Sequence, residues 1–220
     1  MINKDAPEKL MKSLNVYTEH SITKSIKNII VAGGFLRAYY AGETPSDLDL
    51  YFRNNEDLIK TKMELEENEW IEILKTERAI TFKKNGKLIQ LISYLYGEPE
   101  QVINLFDFTI SCVAMTITRH EIESDGSEDT RIELHGHLIL HDDFFENLSG
   151  RVLEFIGTPL PLSSLKRAFK FIKRGYSICD ENIIKIAEAI FRQVDFNDEG
   201  KLEEHLAGID PNGRGIRVID

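Results

Sequence analysis

The stretch Ile29-Ile30-Val31-Ala32-Gly33-Gly34-Phe35-Leu36-Arg37, followed within a dozen residues by Ser46-Asp47-Leu48-Asp49-Leu50-Tyr51-Phe52, constrains the fold of this chain more than any other. Four consecutive apolar residues read as a buried strand. The paired glycines end it in a turn, and residues 35–40 read as a helix opening directly on that turn. Leu48 to Phe52 is a second strand. Strand side chains alternate between faces, so Leu48 and Leu50 point to a core while Asp47 and Asp49 share the other face. A glycine turn at a helix N-terminus offers phosphate its backbone amides and a favourable field. Two carboxylates one residue apart suit Mg²⁺, which takes hard oxygen ligands and shares its coordination with substrate phosphates. A lone Asp-x-Asp is commonly just a polar strand edge. Here the upstream glycine turn, the intervening helix and the strand register favour a phosphate cradle beside a divalent-metal site.

The rest of the chain divides by periodicity. Residues 8–28 read as a helix leading to a short linker, and residues 56–68 as a charged helix with Leu58, Met63 and Leu65 as its apolar positions. Strands at 79–83 and 87–94 flank Asn85-Gly86, the strongest short hairpin signal. A short helix at 98–104 precedes the apolar run 106–116. A second hairpin, 117–123 with 131–140, is expected around the acidic turn 124–129. From about Asp143 the pattern becomes helical: 144–155, then 165–173 with Leu165, Phe169 and Ile172 on one face, then 182–193 and 201–206. Strands first and helices last predict an α+β head over residues 1–143 and a small helical domain over 144–220.

Charge and cysteines narrow the class. The chain has 220 residues and a formal net charge of −10. Bulk, sequence-independent nucleic-acid binding rests on Lys and Arg neutralising phosphates, and an acidic chain is a poor candidate for it. DNA is not expected as a partner. A local basic groove is still allowed, and Lys166, Arg167, Lys170, Lys173 and Arg174 form the one basic concentration. Cys112 and Cys179 both lie in apolar sequence and read as buried thiols of a reducing cytoplasm. Residues 1–7 lack the apolar run of a signal peptide, and no run of about 18 apolar residues predicts a membrane span. The expected location is cytoplasmic, with no membrane partner.

At the Gly-Gly turn and the Asp-Leu-Asp strand the chain resembles the DNA polymerase β-like nucleotidyltransferase superfamily. Two later segments sharpen the likeness. Leu105-Phe106-Asp107-Phe108-Thr109-Ile110-Ser111-Cys112 is similar to the Arg-Arg-Asp-Phe-Thr-Ile-Asn-Ala motif of CCA-adding enzymes and bacterial poly(A) polymerases. Arg167-Ala168-Phe169-Lys170-Phe171 resembles the Arg-Ala-x-Arg-Phe helix of their neck domain. The resemblance covers roughly residues 25–180. It implies a nucleotidyltransferase head with a mixed sheet and a helical neck, transferring a nucleoside monophosphate from an NTP to a hydroxyl with release of pyrophosphate. It implies two Mg²⁺ ions on Asp47 and Asp49, replaceable by Mn²⁺, with Asp107 assisting. It also implies triphosphate contacts from Gly33, Gly34, Arg37 and Ser46, and nucleotide contacts from Arg167 and Lys170.

The departures matter as much. Leu105 and Phe106 replace both arginines of the sugar-reading motif, and Ser111 its asparagine. No Glu-Asp-x-x-Arg element precedes Arg167. Gln90 stands on the strand that could supply a third carboxylate. An RNA 3′ end is the acceptor the resemblance implies; a small-molecule or protein hydroxyl suits the acidic charge better. A nucleotide-binding regulator without catalysis is the alternative. His135, His137 and His141 have zinc-like even spacing but lack a fourth ligand, and read as strand residues. Asp195-Phe196-Asn197-Asp198-Glu199-Gly200 begins like a calcium loop, but the twelfth position is Leu206, so a polar turn is expected.

Overall fold

The computed structural model describes residues 7–22, 25–123, 130–200 and 202, with side chains at all of these except 7 and 119–134. The chain forms two compact units, Met1–Ile103 with Val113–Leu140, and Asn104–Cys112 with His141–Asp220.

The first unit is built on seven strands in the order β3-β4-β5-β2-β1-β6-β7. These are β1 (Ile29–Ala32), β2 (Leu48–Phe52), β3 (Ile71–Lys75), β4 (Ala79–Lys84), β5 (Lys87–Tyr96), β6 (Val113–Glu123) and β7 (Thr130–Leu140). Within this sheet, among the described residues, only β2 and β5 pair in parallel, so the sheet is mixed. Parallel neighbours need a long crossover. Here it consists of α3 (Asn55–Glu67) and the strands β3 and β4. The central strands are the most apolar: all four residues of β1, and Leu48, Leu50 and Phe52 of β2, are fully buried.

Local signals account for the helices. In α3 the Asn54 side chain accepts the amide of Asp57 at 3.0 Å, and Glu56 and Asp57 sit where the helix field favours acids. Its buried face includes Glu64, which accepts the backbone N–H of Ser25 at 2.8 Å. The helix α2 (Gly34–Ala41) ends at Gly42, whose φ of +70° is the left-handed cap that glycine adopts without penalty. The first helix, α1 (Pro7–Thr18), stops ten residues before the expected 8–28 segment does. Glu19 and His20 take φ of 53° and 58°, and a 3₁₀ turn at Ile26–Asn28 leads into β1. The edge strand β3 was not anticipated. Its isoleucines Ile71 and Ile73 are exposed, so no buried face imposed a readable alternation. The short helix α4 (Pro99–Ile103) follows β5. The second hairpin is β6 with β7; its turn, 124–129, lies outside the described residues, as does most of the helix expected at 201–206.

The second unit contains α5 (Phe144–Gly150), α6 (Pro161–Ile172) and α7 (Asp180–Gln193), with the two-residue strands β8 (Val152–Leu153) and β9 (Ser177–Ile178) paired in parallel. The expected helix 144–155 ends at Gly150 because Arg151 turns left-handed, at φ 52°. The buried face of α6 is Pro161, Ser164, Ala168 and Phe171; Phe169 and Ile172, expected inside, are exposed. Phe171 wins because it meets Phe108 at 6.2 Å and Tyr176 at 5.3 Å between ring centroids. Phe108 also meets Phe155 at 5.9 Å. Edge-to-face rings at such distances add about 0.5–1.5 kcal/mol beyond their burial.

Replacing the α3 cap, Asn54→Ala, is expected to destabilise the first unit by about 1 kcal/mol. Urea unfolding should show this as a lower midpoint with an unchanged slope.

Candidate functional site

Strand register gathers the predicted residues of the first unit. Val31 of β1 lies opposite Leu50 of β2, so continuing that antiparallel register brings Ala32 opposite Asp49 and Gly33 opposite Leu48. Gly33 donates its amide to the Val113 carbonyl at 2.9 Å, which pins the turn to the start of β6. Its backbone, at φ 71° and ψ −123°, is one that a residue with a Cβ rarely adopts. Nothing lies within 4 Å of the place where a Cβ on Gly34 would project, so the second glycine opens onto free space at the helix N-terminus. Asp47 and Asp49 leave β2 at this same end. Leu48 between them is fully buried, while both aspartates are half-buried.

Ser46 donates its hydroxyl to Asp47 Oδ1 at 2.6 Å, which orients that carboxylate. On the neighbouring strand, Asp49 is in register with Gln90, and Gln90 in turn with Thr81. In-register residues point to one face, so Asp49, Gln90 and Thr81 form a row. Tyr17 also senses the carboxylates. Its hydroxyl donates to the Leu88 carbonyl at 3.1 Å, and its pKa is raised chiefly by burial and further by the charges of Asp47 and Asp49.

Arg37 sits one turn into α2 but is buried, with 4% of its surface exposed. Its Nη1 donates to Glu43 Oε2 at 2.8 Å. This pair ties α2 to the loop that runs on to Ser46 and Asp47. Beside that loop lies a cleft of about 460 Å³ whose lining includes Lys12, Tyr17, Phe35, Tyr39, Pro45 and Lys87. Phe35 follows Gly34 directly, and Pro45 stands two residues before Asp47, so the cleft is flanked by both motifs. Its volume falls in the range of about 300–1,000 Å³ usual for small-ligand pockets.

The remaining candidates lie in the second unit. Asp107 is buried and accepts Arg167 Nε at 2.8 Å, while Arg167 keeps 47% of its side chain exposed. Asp107, expected to assist the metal site, and Arg167, expected to contact the nucleotide, thus hold each other. Phe108, next in the motif, is fully buried, and Thr109 N–H donates to the Glu154 carbonyl at 3.1 Å. Lys170 is exposed on α6. Cys112 ends this segment, its thiol donating to the Phe108 carbonyl at 3.2 Å. Burial, helped by the Asp107 charge, pushes that thiol up to about 12. Cys179 was expected to be buried; it is exposed at the start of α7, where the amide of Asn182 pulls its pKa down.

Neither of the two motif-like decoys is a site among the described residues. His135 and His137 are exposed on β7, His141 follows that strand, and no group of three His, Cys, Asp or Glu side chains could hold a metal ion. Asp195 accepts the Asn197 amide at 3.0 Å in a local polar turn. No described helix is long and apolar enough to cross a membrane.

Comparison with known proteins places this geometry. Residues 6–151 match the model of the Gabija anti-defense 2 family, and the chain belongs to that family. It is 25% identical over 200 residues to Gabija anti-defense 2 of Bacillus phage SPbetaL7, covering 89% of this chain and 46% of that protein. Among solved structures it is similar to a CCA-adding enzyme in complex with CTP, with a TM-score of 0.58 at 16% identity, covering 92% of this chain and 49% of that one. It is also similar to the Thermotoga maritima CCA-adding enzyme complexed with tRNA, with a TM-score of 0.56 at 18% identity, covering 94% and 52%. The chain therefore spans about half the length of the proteins it matches. The fold is the nucleotidyltransferase fold of CCA-adding enzyme heads, and the motif resemblance holds at that level. The family itself is the anti-defense one.

The cysteines give a check on the second unit. A thiol-specific chromogenic reagent at pH 8 should modify Cys179 rapidly and Cys112 only after denaturation, because a thiol with its pKa near 12 is almost never ionised there. Raising the pH from 9 towards 12 should lower stability, since the unfolded chain ionises Cys112 first.

Proposed function

We propose that the chain is a Mg²⁺-dependent nucleotidyltransferase that moves a nucleoside monophosphate from an NTP to a hydroxyl acceptor. The observation that carries this reading is the placement of Asp47 and Asp49 at one end of β2, beside the Gly33–Gly34 turn that opens α2. Carboxylate oxygens next to free backbone amides suit a metal–triphosphate pair. Bound there, Mg²⁺ would supply charge neutralisation on the phosphates and lower the pKa of the acceptor hydroxyl.

The chain's own residues supply position. Asp47, oriented by Ser46, and Asp49 are the metal ligands. The Gly33 amide is held by the Val113 carbonyl, so the turn leaves the Gly34 amide and the first amides of α2 to face the triphosphate. Arg37 acts through Glu43, fixing the loop before Asp47, which is a different route to the same end as direct phosphate contact. In the second unit, Arg167, held by Asp107, and Lys170 are the candidates for nucleotide contact. Holding the reactants in place and neutralising charge is most of what phosphoryl transfer asks of a protein.

The family description points to an acceptor belonging to the Gabija defence, a protein or a small molecule. An RNA 3′ end is the acceptor suggested by the tRNA-bound structural relative. The cleft walled by Phe35, Tyr17 and Tyr39 is the place in the first unit for an acceptor with an aromatic ring. A second reading, a nucleotide-binding regulator without catalysis, is favoured by the amide at Gln90 and by Leu105 and Phe106 in place of arginines.

Pyrophosphate release with Mg²⁺, measured for each NTP with and without RNA and with lysate protein, separates these readings. The wild type should turn over, and Asp49→Asn should lose at least about a thousandfold while keeping its melting temperature. Retained turnover in Asp49→Asn sinks the assignment. Tight NTP binding with no release under any condition favours the regulator. Acceptor binding that weakens steeply with salt identifies RNA.

A further inference from the structure

We propose that Gln90 is a positioning residue of the Asp47–Asp49 site and limits it to two carboxylates, so that the divalent ion is taken up together with the nucleotide. This rests on the nucleotidyltransferase reading and extends it to the order of binding.

The placement of Gln90 is unusual for an amide. It lies on β5 directly in register with Asp49 and is 1% exposed. Its Nε2 is buried and has no hydrogen-bond partner among the described residues. Leaving such a donor unpaired costs about 1–3 kcal/mol, a cost that leucine or methionine at this position would avoid. On its other side stands Thr81, buried and in the same row. The adjoining strand, about 4.8 Å away, carries Asp49 on the same face. An amide nitrogen can only donate, and Thr81 does not accept from it, so the mate that the site can offer is a carboxylate or phosphate oxygen.

The charge count follows. A glutamate here would have nearly the same shape and would make a third carboxylate. The glutamine keeps the donor set at two carboxylates, and among the described residues no third His, Cys, Asp or Glu side chain joins them. Divalent ions on one or two carboxylates keep open positions that substrate phosphates fill. With Gln90 in place, the free protein holds the ion weakly, the triphosphate completes the shell, and the Nε2 donor steadies Asp49 as it does so.

Mn²⁺ uptake by the full chain, followed by electron paramagnetic resonance, tests this without relying on turnover. Wild type should bind Mn²⁺ weakly alone and about tenfold or more tightly with a non-hydrolysable NTP. Gln90→Glu should bring a similar gain, about tenfold, with no nucleotide present. Gln90→Leu covers the case in which a buried glutamate prevents folding. It should leave nucleotide-free uptake unchanged and weaken uptake with nucleotide by about threefold or more, with a melting temperature no lower than wild type. Tight nucleotide-free uptake by wild type overturns the proposal. So does a folded Gln90→Glu that titrates like wild type, or a Gln90→Leu with undiminished uptake beside nucleotide. Asp49→Asn in the same titration separates the levels: if it weakens uptake while the Gln90 variants change nothing, only the role of Gln90 fails; if it too changes nothing, the metal reading of the site fails.

Discussion

The pairing of β2 with β1 on one side and β5 on the other is the constraint on which the candidate site depends. One register sets Asp49 across from the end of β1, where the chain turns through Gly33. The other sets Asp49 beside Gln90. Because side chains alternate along a strand, a slip of one residue in either pairing would send both aspartates into the core and Leu48 and Leu50 to the surface. Fully burying a leucine is worth about 1.5–3 kcal/mol, and burying an unpaired carboxylate costs several more, so the register is held by large terms on both sides. The chemistry of the site is thus protected by the packing of its neighbours.

Two buried ion pairs do a related job in the separate units. Arg37 with Glu43 fixes the loop before Asp47, and Asp107 with Arg167 fixes the segment 104–112 to α6. In each, one partner is almost wholly buried and the other reaches solvent. For Asp107, removing the exposed Arg167 would take the cation away from a buried carboxylate, which is where such pairs become costly. The arginine of each pair is one that the motifs suggested for direct contact with a nucleotide. Their role in the fold is to orient what surrounds them.

How much of this was legible in the sequence follows from which forces are local. Ile29–Ala32, Leu48–Phe52 and the Asn85-Gly86 hairpin carry their signals within a few residues, and all three elements stand where they were expected. The α+β class and the nucleotidyltransferase fold followed from them. The edge strand β3 escaped because four of its five side chains, Ile71 and Ile73 among them, are exposed and only Leu74 is half-buried. The buried face of α6 escaped because it is chosen by Phe108, some sixty residues away, and not by the apolar count on the helix itself. The Arg37–Glu43 pair left a faint trace, a basic residue and an acidic one six apart across a glycine-capped helix end, but tertiary burial decides whether such residues meet. The exposure of Cys179 likewise depends on the position of α7, which no local pattern announces.

In the proposed function Asp47 and Asp49 hold a divalent ion against a triphosphate that faces the amides opening α2 at the Gly33–Gly34 turn. Crystals grown with Mn²⁺ and a non-hydrolysable NTP, measured for anomalous scattering at the manganese edge, would locate both the ion and the phosphates. Manganese density is expected in contact with both carboxylates and with phosphate oxygens, and the phosphates are expected to face the first amides of α2. Ordered nucleotide elsewhere in the molecule, or nucleotide at the turn with manganese touching neither aspartate, would contradict it.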